Sequence, residues 1–316
     1  MSRLALLSPL PPAPTGIADY TADVLALLAP NHTIDVFHSQ PSVSLPPLTP
    51  AVRTYPADQF LTRHAANPYE LAIYQLGNGP DHDFLYDLMP RVPGLLVLHE
   101  LVLHHARARM FLDSEAARAY AREPGNAALR EAALAGQRGY AEEVAHAYPT
   151  QAGRLVEVQL NTVGRLLPYA YPLFHRPVEW ARLTAVHNAF TAAAIAAELP
   201  QARLQRIPMA MSPAAVTPAE VAALRARLGF GPDDVVVASF GLLTREKQVE
   251  TVARAVARAE ANAARLRLLL VGPVPDPPAL AAMLERTGLG ARAVVTGRVP
   301  LAELPAHIEA ADIAVH

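Results

Sequence analysis

"VVVASFGLLTREKQVE", residues 235–250, runs from an apolar stretch through Gly241 into a polar turn and then into helical spacing. A short apolar run closed by a glycine reads as a strand buried on both faces. Val249, Val252 and Val256 then recur three and four residues apart, which puts them on one face of a helix. Strand, glycine turn and helix together make half of a βαβ unit.

The same order repeats outward from this stretch. Downstream, "LRLLLVG", "RAVVTG" and "DIAVH" read as strands, and "PALAAMLERTGL" and "LAELPAHIEAA" as helices. The helix after residue 245 is expected to run through "EKQVETVARAVARAEANA". Upstream, "LALLS", "HTIDVFH", "ELAIYQLGNG", "GLLVLHE", "ARLTAVHN" and "RLQRIP" read as strands, with "IADYTADVLALLA" and "AFTAAAIAAEL" as helices between them. Residues 114–147 are rich in Ala, Arg and Glu and are expected to be helical with a break at Pro124 and Gly125, and "RLVEVQLNTVGRLL" to continue as helix. Such alternation predicts a mostly parallel sheet with helices on both faces.

"IPMAMSPAAVTP" interrupts the periodicity with Pro208, Pro213 and Pro218 and reads as a linker. It divides the chain into two expected domains, residues 1–207 and 208–316. Both are expected to be α/β, Rossmann-like and doubly wound, with a ligand held between them beyond the carboxyl ends of the strands. The second shows about half the elements of a doubly wound sheet, so an incomplete domain, cut at His316, is expected.

Composition narrows the function. The 316 residues are 52% hydrophobic and 18% charged, which suits a packed globular protein. A net charge of -2 gives no electrostatic basis for nucleic-acid binding. Cysteine is absent, which removes disulfides and thiolate metal sites. The first residues lack a signal-peptide pattern, and no apolar run is long enough to span a bilayer. The expected compartment is the cytoplasm, with peripheral membrane contact left open. Of the 27 basic residues one, Lys247, is a lysine and the rest are arginine. In a chain that uses arginine wherever only charge is wanted, a lone lysine points to a site that needs a compact ammonium. Chance survival of a surface lysine is the alternative.

"LLVLHELVLHHARARM", residues 95–110, resembles the zinc motif H-E-x-x-H but is misspaced. The fourth residue after His99 is Leu103, and His104 stands five residues on, turned by roughly 140° on a helix at about 100° per residue. The apolar run before His99 instead places it at a strand tip, where a general chemical role and a satisfied structural histidine both fit. His104 and His105 fall on the next helix and receive no catalytic role.

Three loops after strands could meet a ligand. In "PPAPTGIADY", prolines stiffen the turn and Gly16 lets backbone approach a ligand at a helix start. The dinucleotide fingerprint G-x-G-x-x-G is missing there, and a rigid turn with nothing bound fits equally well. In "QLGNGPDHDFLY", Gly77, Asn78, Gly79 and His82 form a polar turn that simple capping also explains. In the opening stretch, Gly241, the loop and Lys247 near a helix start suit a diphosphate leaving group, without being a Walker A loop.

Taken in order, these segments resemble the GT-B glycosyltransferases, and among them the family 4 retaining enzymes. "LPPAPTGIADYTADVL" is similar to that family's glycine-loop opening, and "YQLGNGPDHDFLYDLM" with "PGLLVLHELVLHH" to a subgroup with GN…H and LHD…LHH signatures, Glu100 standing where Asp is usual. "AVHNAF" is similar to its VHS segment, "SFGLLTREKQVETVARA" to its donor loop, and "VVTGRVPLAELPAHIEAADIAV" to the segments after it. The resemblance implies transfer of a sugar from a nucleotide-diphosphate donor to a glycan, lipid or small-molecule acceptor, with retention and with neither metal nor cofactor. It implies His99 and Lys247 as catalytic residues. Gly16, Gly241, Arg245, Lys247, Gly297, Arg298 and Val299 would meet the donor, and Asp19, Tyr20, Asn78 and His82 would lie on the acceptor side.

Two departures qualify this. Leu242 stands where many members carry arginine, so one diphosphate contact is missing unless Arg245 replaces it. The acidic E-x7-E segment would lie beyond His316, so a poor catalyst or an inactive chain is expected of these residues alone. An inactive nucleotide-sugar-binding or scaffold protein on the same fold is the competing reading. A nucleotide-sugar epimerase is a third, without a clear acidic set to support it.

Overall fold

The computed structural model describes residues 1–45, 51–161, 166–209, 215–244, 247–259 and 265–315. The chain divides into two compact units, Met1–Met211 and Ser212–His316.

The first unit is built on β1 (Ser2–Leu7), β2 (His32–His38), β3 (Val52–Pro56), β4 (Leu71–Leu76), β5 (Leu95–Leu98), β6 (Leu183–Val186) and β7 (Leu204–Arg206). The strands are parallel and lie in the order β3-β2-β1-β4-β5-β6-β7. Alternate residues go to opposite faces. Ala5, Leu7, Tyr74, Leu76, Leu96 and Leu98 pack in one apolar layer, while Leu4, Leu6, Ile73 and Val97 pack in the other. Both faces are therefore covered, which is why these strands read as continuous apolar runs. β3 escaped the sequence reading because its burial is partial and its residues, "VRTYP", are largely polar.

Between β5 and β6 the chain makes a helical excursion. Its longest helices are His104–Leu112, Glu115–Arg122, Ala127–Ala147 and Ala152–Leu160. The expected break at Pro124 and Gly125 is present, and Asn126 caps the helix after it through the backbone N–H groups of Ala128 and Leu129. "RLVEVQLNTVGRLL" does not continue as one helix: Asn161 leaves the helical conformation at φ -85° and ψ 5°, and residues 162–165 lie outside the described residues. Tyr140, Val144, Leu155, Leu167 and Leu173 give this excursion a core of its own. Buried Glu143 is held there between Arg107 and Arg176, at 3.0 and 2.9 Å.

The second unit carries β8 (Val235–Phe240), β9 (Leu266–Val271), β10 (Ala293–Gly297) and β11 (Ile313–Ala314), parallel and in the order β10-β9-β8-β11. The helix after β8 starts later than its sequence suggests, at Val249. Gln248 sits at φ 53°, which a right-handed helix does not admit, so Lys247 belongs to the turn that precedes the helix. Val249, Ala253 and Val256 form its buried stripe. Among the described residues no helix is long and apolar enough to cross a membrane.

Candidate functional site

In the first sheet β1 and β4 are neighbours, and the chain leaves them toward opposite edges. Loops that part in opposite directions leave a crevice beyond the carboxyl ends of the strands. A cavity of about 590 Å³ lies there, lined by the loop after β1, the glycine turn after β4 and the tip of β5.

The loop after β1 ends on Thr15, whose Oγ1 accepts a hydrogen bond from the backbone N–H of Ile17 at 3.0 Å and so caps the helix Gly16–Leu28. A Cβ on Gly16 would meet nothing within 4 Å. The fold alone therefore does not require glycine at this position. Tyr20, one turn along the helix, lines the cavity, and burial raises the pKa of its hydroxyl. Asp19 lies half-buried beside it and does not line the cavity.

Sheet register brings the next groups together. Gln75 of β4 pairs with Val97 of β5, and Val97 with Ala185 of β6. Two residues further along each chain stand His99 and His187, on the same face as Gln75 because side chains alternate with period two. The rings of Tyr20, His99 and His187 then form one cluster, with centroids 4.8 Å apart for Tyr20–His99, 4.9 Å for His99–His187 and 5.4 Å for Tyr20–His187. The Nε2–H of His99 donates to Gln75 Oε1 at 2.7 Å. Burial, with His187 and His82 adding to it, holds the His99 pKa down to about 3, so the ring is neutral at pH 7.

The glycine turn is fitted tightly to its neighbours. A Cβ on Gly77 would fall 2.4 Å from Ile17 Cδ1 and 3.0 Å from His82 Nε2. His82 is buried, its Nδ1–H donating to the carbonyl of Gln75 at 2.9 Å, and burial lowers its pKa. Asn78 Oδ1 accepts from the backbone N–H of Ala106 at 2.7 Å, tying the turn to the helix His104–Leu112. Arg109 donates to the Asn78 carbonyl at 3.0 Å and pairs with Asp83 at 2.6 Å. His82 and Asn78 thus line the cavity and also brace it.

His104 faces away from this chemistry. Its Nδ1–H donates to the carbonyl of Tyr171 at 2.6 Å, and its Nε2 accepts from the Tyr140 hydroxyl at 2.7 Å. His105 packs edge-on against Tyr169. Among the described residues no group of three or more His, Asp or Glu side chains is placed to hold a metal ion.

In the second unit β8 stands between β9, to which the chain passes next, and β11, to which it returns last. Gly241, at the tip of β8, has φ +103°, and its N–H donates to the carbonyl of Val271 at 2.9 Å. The Lys247 side chain lies over it, Cε and Nζ being 3.8 and 3.9 Å from where a Gly241 Cβ would stand. The turn is closed by the Lys247 N–H donating to the Thr244 carbonyl at 3.2 Å. The carbonyl of Gly297, at the tip of β10, accepts from Gly272 N–H at 2.9 Å. Arg298 is exposed, whereas Val299 packs against the apolar layer that holds Phe230 and Val271. Leu242 is 51% exposed, and Arg245 lies outside the described residues.

Sequence reasoning missed Gln75 and His187. The signal for His187 was available: like His99, it directly follows an apolar strand. Gln75 showed itself only as one polar residue in "LAIYQL".

Comparison with known proteins bears on both units. Residues 234–316 match the family described as Glycosyl transferases group 1. Sucrose-phosphate synthase from Thermosynechococcus elongatus is similar in structure, with 18% identity and a TM-score of 0.57 over 99% of this chain and 75% of that one. The Anabaena protein HepE, solved in complex with UDP and glucose, gives 14% identity and a TM-score of 0.56 over 99% of this chain and 73% of its own. WaaG, a glycosyltransferase involved in lipopolysaccharide biosynthesis, gives 14% and 0.60 over 98% and 74%. What is shared at these identities is the fold, that of the GT-B glycosyltransferases with Rossmann-like domains. No curated protein sequence matches the chain. The family match and the shared fold support a glycosyltransferase of the GT-B fold.

Proposed function

We propose that the protein transfers a sugar from a nucleotide-diphosphate donor to a hydroxyl-bearing acceptor, with retention of configuration and without a metal. The observation that carries this reading is the Gly241–Lys247 turn, which lies inside the segment that matches Glycosyl transferases group 1. An ammonium held over a glycine turn at the tip of a parallel strand suits a departing diphosphate, whose charge it would offset as the bond to the sugar breaks. Arg298 and the backbone of Gly297 and Val299 border the nucleobase in this reading. His99, neutral at the β5 tip, meets a hydroxyl of the transferred sugar or the acceptor. Gly16 leaves room for donor groups at a helix N-terminus. Tyr20, Asn78 and His82 bound the acceptor side, with Asp19 on the same helix. The acceptor is a glycan, a lipid or a small molecule.

UDP-glucose is the first donor to test, since HepE was solved with it. Calorimetry should show binding that falls about tenfold or more in Lys247→Ala, as expected for the loss of a charge-assisted contact. NMR of the anomeric proton in the product reports retention, and an excess of EDTA should leave the rate unchanged. The proposal fails if neither binding nor hydrolysis of any nucleotide sugar is found and Lys247→Ala changes nothing. A second reading, binding without transfer, draws on Leu242, an exposed apolar side chain beside the diphosphate turn. Binding with no turnover across a donor panel would favour it.

A further inference from the structure

We propose that Gln75 is a positioning residue that holds His99 in its Nε2–H tautomer, leaving the Nδ1 lone pair as the ring's acceptor for a ligand hydroxyl. The inference rests on the sugar-binding reading of the cavity and sharpens it. Gln75 is buried in β4 at 1% exposure, and its side-chain oxygen meets the ring of His99 on the neighbouring strand. The amide oxygen has no proton to give, so the 2.7 Å contact places the proton on Nε2. Strand pairing of Gln75 with Val97 fixes the distance between the two groups, and Tyr20 and His187 pack the ring from the side. The ring can then neither tip nor exchange its nitrogens without breaking the bond. Among the described residues Nδ1 has no hydrogen-bond partner, and His99 lines the cavity.

A lone pair accepts from a hydroxyl and repels a phosphate or carboxylate oxygen. The cavity wall agrees with that selection: among the described residues its lining includes Asp81 and Glu100 and neither lysine nor arginine. The nearby guanidinium of Arg109 is committed to Asp83 and the Asn78 carbonyl. The group that meets His99 is therefore an uncharged hydroxyl of a sugar or polyol, not a phosphorylated position.

The tautomer can be read directly by long-range 1H–15N NMR on the full chain with 15N-labelled histidine, His99 being assigned by its loss in His99→Phe. The expected result is a protonated Nε2 and a bare Nδ1 at neutral pH. Gln75→Leu should mix the two tautomers. Gln75→Glu, which keeps an acceptor in place, should retain the tautomer and move the His99 titration to higher pH. A proton on Nδ1 in the wild type overturns the proposal, as does an unchanged spectrum in both variants. If Gln75→Leu does not fold, as judged by circular dichroism, Gln75→Glu alone decides. None of these readouts needs sugar transfer, so they stand even if the protein proves to transfer nothing. In the transfer assay, Gln75→Leu should lower kcat at least tenfold while Gln75→Glu restores it near pH 8. Mixed tautomers with an unchanged rate would overturn the positioning role.

Discussion

Gly272 and Gly241 meet where β9 and β8 end side by side: a Cβ on Gly272 would stand 1.9 Å from the Gly241 carbonyl oxygen. Gly272 also holds φ +146°, a backbone conformation open to glycine. Gly272→Ala must therefore push apart the loops that follow β8 and β9. The expected cost is at least about 2 kcal/mol. Chemical denaturation should show it as a lowered midpoint for the second unit, and an unchanged midpoint would contradict the packing.

Gly16 is the opposite case. Its Cβ position is open, so Gly16→Ala should leave stability within about 0.5 kcal/mol or raise it slightly. If the space belongs to the ligand, the same variant should weaken nucleotide-sugar binding or transfer. Paired melting and binding measurements separate the two effects. Full affinity in a stable Gly16→Ala protein would remove Gly16 from the site.

Glu143 carries the charge balance of the helical excursion. It accepts from Arg107 through both oxygens at 3.0 Å, while Arg107 lies over the ring of Tyr86 at 4.3 Å. Removing the carboxylate leaves the buried Arg107 guanidinium without its ion-pair partner, so Glu143→Ala is expected to cost about 3–5 kcal/mol. Proteolysis between residues 104 and 180 should accelerate in this variant.

Acid should destabilise the first unit through its histidines. His38, His82, His99, His104, His175 and His187 all have lowered pKa values, with burial as the leading cause. Below the ordinary value of 6.5 the unfolded chain takes up protons that the folded chain refuses until, for His99, about pH 3. Stability is therefore complete above pH 6.5 and is lost progressively as pH falls toward 3. Thermal melts between pH 7.5 and 4 should show a falling Tm that is less steep in His99→Phe, provided that variant folds.

Much of the fold was legible because parallel strands buried on both faces write themselves as apolar runs, and "LALLS", "GLLVL" and "VVVASF" did so. The tips of those runs then marked Gly16, His99 and Gly241 as candidates without any coordinates. The short polar β3 left no such trace. Nor did the late start of the helix at Val249, which a left-handed Gln248 imposes.

By itself the sequence determined two α/β units, the strand-tip positions and the isolation of Lys247, since each follows from local pattern and composition. Only the tertiary structure decided which tips meet. Strand order placed β4 between β1 and β5, and register then set Gln75 against His99 and His187 beside it. It also turned His104 toward Tyr140 and Tyr171 and packed Val299 against an apolar layer of the second unit. Residues 24 or 88 positions apart become neighbours through pairing across the sheet, and periodicity along one strand carries no information about which strand lies next to it.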